Sequence, residues 1–588
     1  MTQTSGKLIT RNYAAFRGVD FSDRQDEVNL YRSPDALNMW KNYKRENGKC
    51  IETRPDVELL AEYSNTISGL FFYGEGYLVH SGTKLYNGDT EIYSNMAEHK
   101  SNYFVYRDKV YIQDGTNYLV WDGSTVKSVE EDAYVPRTTI SKPPSGGGVI
   151  YQDVNLLSPY RRNDFCSDGA STDYVLDAQN IDEEQVRVWI TNANGQMEEL
   201  TSGFTTNYED GVVTFDTAPA VPYTDGQDNV FIQYKKTVTG TADKIKKCTL
   251  VEIFDNRVFM SGNPDMKNVV WHSSLEDPSY FSDTDYYEEG SSKSAVKGMV
   301  AGNNAIWILK EPSVENTTIF YHNPSIDENY GKVYPNVHSS ISTGCVSEGI
   351  NFRDTICFLS PEGLEAITGD VTTEQVITHK SSLIDSRLLN EDLSRCRLVE
   401  IDDYLAIVID NKMYLADSRQ YSQVNDHYEY EWYYFEFDQN IDCEMFCTDQ
   451  GEDYSNSLVM GTNEEVKVDG VKTTVYRLYS LNNYSNNRKV TSYWCTIEDE
   501  FNYPQYQKIT NKKGCVFDLE GEAISIYAEA DHKGFSLIKT FKQVPKGYIV
   551  PRIKKKKWKS IQLKFYSEKP FSLYSGTLES YVGSYIKR

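Results

Sequence analysis

Much of what small-molecule chemistry usually needs is scarce in this sequence. Only 8 of its 588 residues are histidine, and they are scattered. The ten cysteines, at 50, 166, 248, 345, 357, 396, 443, 447, 495 and 515, form no CxxC, and the tightest pair has no histidine nearby. A compact zinc motif and a disulfide framework are therefore excluded as organising features. Free, mostly buried thiols in a reducing cytosol are expected instead. No apolar run approaches the ~20 residues of a membrane helix, and "MTQTSGKLIT" lacks the apolar centre of a signal peptide. GxSxG, HExxH and GKS/T are absent. "YGEGY" (73–77) precedes no helix and reads as a hairpin turn, while "SDTDYYEEG" (282–290) lacks calcium-loop spacing. Carboxylates are so common that no isolated pair marks a glycosidase site. These absences lead to the expectation of a protein without catalytic activity, metal or cofactor.

Positive charge is also in short supply: 60 Lys+Arg stand against 86 Asp+Glu, a net −26. Such acidity opposes a general nucleic-acid clamp, which must displace counterions with a basic footprint. It suits either simple solubility or a surface that polyanions slide past. One segment runs the other way, "PRIKKKKWKS", with Lys554, Lys555, Lys556, Lys557 and Lys559. It reads as a strand entry guarded by lysines, or as a contact to phosphate or to an acidic neighbouring subunit.

What the sequence has is tyrosine and strand rhythm. Its 45 Tyr and 24 Phe favour sheets over helices. "LFFYGEGYLVHSGTKLYNGDT" (70–90) and "YFVYRDKVYIQDGTNYLVWDGST" (103–125) repeat one pattern of short alternating strands, and Asn87-Gly88 and Asp122-Gly123 supply turn dipeptides. Weaker copies start near 250, 298, 349, 398 and 457, with turns expected at Asp255-Asn256, Asn303-Asn304, Arg353-Asp354 and Asp402-Asp403. Repeating all-strand units of this length point to propeller blades, with two unrelated β-sandwiches as the alternative. The predicted fold class is all-β: a β-propeller of about seven blades with an inserted β-sandwich, a C-terminal β-sandwich and an extended N-terminal arm. The divisions are 1–60 (arm), 61–136 (propeller), 137–246 (linker and inserted sandwich), 247–490 (propeller) and 491–588 (C-terminal sandwich).

The arm carries "YRSPDALNMWKNYKRENGKCIETRP" (31–55). Ser33-Pro34-Asp35 has the composition of a helix start, so a short helix with Ala36, Leu37 and Trp40 on one side is predicted. Arg54-Pro55 closes it as an extended dipeptide. Having no core of its own, the arm must pack on its own propeller or on a neighbouring subunit. Arg32, Ser33, Pro34, Asp35, Trp40, Arg54 and Pro55 are its candidate inter-subunit or ring-docking residues.

The stretch "FRGVDFSDRQDEVNLYRSPDALNMWKNYKRENGKCIETRPDVELL" (16–60) resembles the N-terminal signature of phage virion stabilization proteins. Asp56 departs from the glycine often found there. The inserted segment, with "RRNDF", "DGASTDYVLD", "VRVWI" and "GVVTFDTAPA", is similar to a β-sandwich module of phage structural proteins. The resemblance implies a tail hub or nozzle of a short-tailed phage, in the virion tail and assembled in the host cytoplasm. It implies a homo-oligomeric, typically hexameric ring beneath portal and adaptor that seals packaged DNA and conducts it without sequence-specific binding, with no membrane partner. The alternatives are a receptor-binding or tail-tip adhesin using the inserted sandwich, and a propeller hydrolase.

Overall fold

The computed structural model describes residues 6–44, 49–74, 76–184, 186–191, 195–314, 317–328, 331–339, 341–368, 376–424, 427–450, 456–468 and 471–585. The protein is all-β, with 54% of residues in strands and 2% in helices. Its chain divides into two compact units. One comprises Met1–Glu91, Pro312–Ile319 and Ser339–Arg588, the other Ile92–Glu311 and Phe320–His338.

The second unit contains three antiparallel four-stranded sheets, spanning residues 102–128, 250–288 and 296–338. In each, the first hairpin is closed by two residues, as the flanking pairs Tyr106↔Lys109, Phe254↔Arg257 and Gly302↔Ala305 require. Both turn residues take positive φ in all three: Arg107 and Asp108, Asp255 and Asn256, Asn303 and Asn304. That is the tight turn whose twist matches the strands it joins. The strand Arg257–Ser261 shows why these sheets stack. Val258 and Met260 pack with Phe104, Tyr118 and Trp271, whereas the intervening Phe259 packs with Val270, Ile306 and Ile308. A strand with period two is thus buried on both faces. Each fully buried side chain of this size contributes about 1.5–3 kcal/mol.

The insertion at 137–246 folds within this unit as a six-stranded and a three-stranded sheet. They share a core of Phe165, Tyr174, Val188, Val213, Phe215, Ile232 and Tyr234.

The first unit repeats the stacking. The sheet of residues 397–436 sends Val399, Ala406, Val408, Met413 and Phe435 against Leu458 and Met460 of the sheet that starts at Asn440. Its alternate residues Leu398, Leu405, Ile407, Tyr414 and Trp432 join a core with Phe352, Cys357 and Leu359. The sheet of 440–483 takes its fourth strand from far upstream: Asp56–Tyr63 pairs with Val471–Asn483, with Tyr63 opposite Tyr476.

The C-terminal strands form one hydrogen-bonded sheet of eleven, four of them supplied by the N-terminal region: Leu8–Tyr13, Ala36–Leu37, Met39–Trp40 and Ile51–Thr53. The predicted helix near Ser33 does not form, and residues 32–40 run as three short strand segments. The capping chemistry is present, since Ser33 Oγ accepts the Asp35 N–H at 3.2 Å. It closes a turn instead, because Ala36–Leu37 pairs with Trp494 and Tyr493 and Asn38 takes φ 56°. A helix of two turns has little stability of its own to set against such pairing.

Candidate functional site

The residues predicted to dock the arm converge on the chain's own interior. Arg32 and Glu431 form a buried fork, with Nε donating to Oε2 at 2.8 Å and Nη2 to Oε1 at 3.0 Å. Asp20 lies 3.8 Å from the same guanidinium and Arg17 3.7 Å from Glu431. Burial pulls the Arg32 pKa down, but hydrogen bonding and charge from Glu431 outweigh it and leave it raised. Buried Ser33 donates Oγ–H to the Cys495 carbonyl at 2.7 Å. Asp35 accepts from Arg387 and from the Tyr493 hydroxyl, at 3.0 and 3.1 Å. Trp40 packs its ring 5.2 Å from Tyr404 and 5.9 Å from Phe435.

Arg54 is the other node. Its three nitrogens donate to Asn38 Oδ1, the Pro55 carbonyl and the Glu436 carbonyl, each at 2.8 Å, and its plane lies 4.2 Å from the Phe437 ring. Burial lowers its pKa to about 10. Arg488 in turn donates to the carbonyls of Arg54 and Thr53.

Arg32, Ser33, Pro34, Trp40, Arg54 and Pro55 are therefore buried in cis, and Asp35 is half-buried. With this many hydrogen bonds to its own unit, the arm packs against the chain it belongs to, one of the two destinations the sequence leaves open.

The basic segment behaves differently. Lys554, Lys556, Lys557 and Lys559 are exposed and Lys555 is half-buried. Lys556–Trp558 forms a short strand beside Tyr506–Thr510. Lys559 Nζ meets Glu500 at 2.9 Å and Lys555 Nζ donates to Ser536 Oγ at 2.8 Å.

Two polar clusters escape a reading of the sequence because strand pairing, and no local motif, brings their members together. His379 Nδ1 lies 3.0 Å from Glu365 Oε1 and its Nε2 2.7 Å from Asp385 Oδ2, while Ser381 donates to Asp385 Oδ1 at 2.7 Å. Burial opposes the imidazolium, but the two carboxylates prevail and raise its pKa to about 10. Gly363 is obligatory beside it, since its φ is 127° and a Cβ there would stand 2.4 Å from Ser381 Oγ. With both ring nitrogens held by carboxylates, His379 has no lone pair to offer as a base, so the Ser381–His379–Asp385 grouping is not a hydrolase triad. In the other unit, His322 Nε2 lies 2.7 Å from Glu289 Oε1 and Asn336 donates to Oε2 at 2.8 Å, with His322 and Glu289 fully buried.

A cleft of about 310 Å³ opens beside Trp40, Tyr43 and Tyr404. Arg353 and Arg419 on its rim both pair with Asp403, and Lys44 pairs with Asp402. Among the described residues, no three His, Cys, Asp or Glu side chains converge as metal donors. Cys50, Cys248, Cys345, Cys357, Cys396, Cys495 and Cys515 are buried and Cys166 is half-buried. The side chains of Cys443 and Cys447 lie outside the described residues.

No family model and no curated protein matches the chain. Among solved structures, it is similar to an exo-beta-1,3-galactanase from Phanerochaete chrysosporium bound to galactose. That likeness has 9% identity and a TM-score of 0.21, covering 56% of this chain and 95% of that one. A variant of that enzyme with beta-1,3-galactotriose matches at 8% identity and TM-score 0.21, covering 56% and 94%. A structure named glycoside hydrolase matches at 9% identity and TM-score 0.20, covering 95% and 99%. Against the expectation of a chain without catalytic activity stand the names of these structures, a galactanase and a glycoside hydrolase. Likenesses at these scores carry no activity, substrate or residue role to this chain.

Proposed function

We propose that this protein is a structural ring component of a phage tail, a hub or nozzle that extends the portal channel, seals packaged DNA and conducts it at ejection. We read the six four-stranded sheets, with the strand set 397–436 as the seventh, as blades of a β-propeller. That propeller carries a β-sandwich inserted at 137–246 and a C-terminal β-sandwich. The observation that carries the reading is the tying of the first 63 residues into distant sheets: four strands go to the C-terminal sheet and a fifth completes the sheet of residues 440–483. A wall that holds pressurised DNA gains from such cross-links, because force on one sheet is shared with others. The net charge of −26 supports it as well, since an acidic wall repels phosphate and lets a duplex slide. Tyrosine-rich surfaces suit the contacts with portal, adaptor and sister subunits.

The test is to tag the chain, purify particles and image them. Labelled density in a ring at the tail, with DNA lost from particles that lack the chain, is the expected result. Absence of the chain from purified particles, or label at the fibre tips with normal DNA retention, overturns the reading.

A further inference from the structure

Two sheet edges in the first unit carry opposite charge and exposed apolar residues. The strand Ser536–Ile549 pairs on one side with Val516–Ala530 and has no other strand partner among the described residues. It lies in a stretch of one sign: residues 533–559 hold ten Lys or Arg and no Asp or Glu, in a chain of net charge −26. Lys539 and Lys542 are exposed and make no ion pair with any described residue. Beside them Leu537 is 55% exposed and Tyr548 75%. The strand Asp56–Tyr63, DVELLAEY, is the last of its sheet and pairs only with Val471–Asn483 among the described strands. It presents Glu58 with Leu59 and Leu60, which are 52% and 41% exposed.

Lysines on a free edge commonly serve to block pairing with other chains. That role does not call for exposed Leu537 and Tyr548, nor for an acidic, leucine-bearing edge elsewhere on the unit. We propose that Ser536–Ile549 of one copy docks on Asp56–Tyr63 of a second copy, extending the sheet across the junction. Lys539 and Lys542, on opposite faces of their strand, then place a positive charge on either side of the acidic edge that carries Glu58, and the aliphatic side chains of the two edges cover one another. The two edges differ, so the contact is heterologous and generates a ring when its rotation closes. The proposal deepens the ring reading and rests on it. Duplex DNA is the less favoured occupant, because phosphates gain nothing from Leu537 or Tyr548 and the rest of the chain repels them.

Sedimentation velocity on the purified full chain tests this. The wild type should self-associate and dissociate as salt is raised, since exposed charges are screened. Lys539→Glu/Lys542→Glu and Glu58→Lys should each weaken association by about tenfold or more. An equimolar mixture of the two should associate again, because the two reversed edges are complementary to one another just as the two intact edges are. Lys539→Gln/Lys542→Gln serves should charge reversal impair folding, and it should show the same loss more weakly. If all variants assemble as the wild type does, the edge assignment falls and the ring reading stands. A wild type that stays monomeric overturns both. Salt-sensitive binding of duplex DNA, lost in the lysine variants while assembly is unchanged, makes DNA the occupant and overturns the proposal.

Discussion

His379 holds its proton between Glu365 and Asp385, and that makes one part of the fold sensitive to alkali. The group is raised to about 10 in the folded chain against an ordinary value of 6.5. Its contribution to stability is therefore whole below pH ~6.5 and is lost as pH climbs toward 10. Chemical denaturation at pH 6 and pH 9.5 should show the wild type losing stability relative to His379→Gln, which lacks the titrating ring. Equal pH dependence in the two proteins would remove the cluster from the account. Nothing in the sequence marks this histidine, because Glu365 sits fourteen positions before it and meets it only as its cross-strand partner in the sheet. Arg32 and Arg54 are legible as important residues, but their destination is not. A sequence shows that an arginine follows a polar arm; it does not show that Glu431, 399 positions away, will be its partner.

At the scale of the element, the turns are easier to read than the helix. Asp255-Asn256, Asn303-Asn304 and Arg353-Asp354 all close hairpins with positive φ at both residues, as their dipeptides suggest. Asn87-Gly88 and Asp122-Gly123 have similar composition but work differently. Asp122 Oδ1 accepts the N–H groups of Ser124 and Thr125 in a four-residue loop, and the tight turn of that sheet falls at Arg107-Asp108 instead. An arginine at φ 46° occupies a left-handed region that disfavours its Cβ. Arg107→Asn should therefore stabilise the protein by on the order of 1 kcal/mol, read as a shift in the denaturant midpoint with unchanged slope. A destabilised variant would mean that the exposed contact of Arg107 with Glu276 outweighs the backbone term. The missing helix has the opposite origin: local signals at Ser33-Pro34-Asp35 are real, and pairing with Tyr493 and Trp494 overrides them.

For the molecule as a whole, the alternation of strands and the spacing of turns make the all-β class plain, whereas the route of the first sixty residues stays hidden. Strand pairing between Leu8–Tyr13 and residues 576–581 leaves no local trace in either segment. Arg11 donates Nε and Nη2 to Asp499 at 2.6 and 2.9 Å and so fixes that strand by charge as well. Removing residues 1–13 should bare the edge it covers. Amides of 576–581 should then exchange at least about tenfold faster, while those of the inserted module stay unchanged. Unaltered exchange at 576–581 would show that the first strand is not seated there in solution.

The strand Asp56–Tyr63 sets a timetable for biosynthesis. It leaves the ribosome about 400 residues before Val471–Asn483, the strand it must meet. At translation speeds of ~5–20 residues per second, it waits roughly 20–80 seconds without its mate. During that interval an edge bearing Leu59 and Leu60 is open to other nascent chains. The glutamates at 58 and 62 put like charge on that edge until the sheet of residues 440–483 is made.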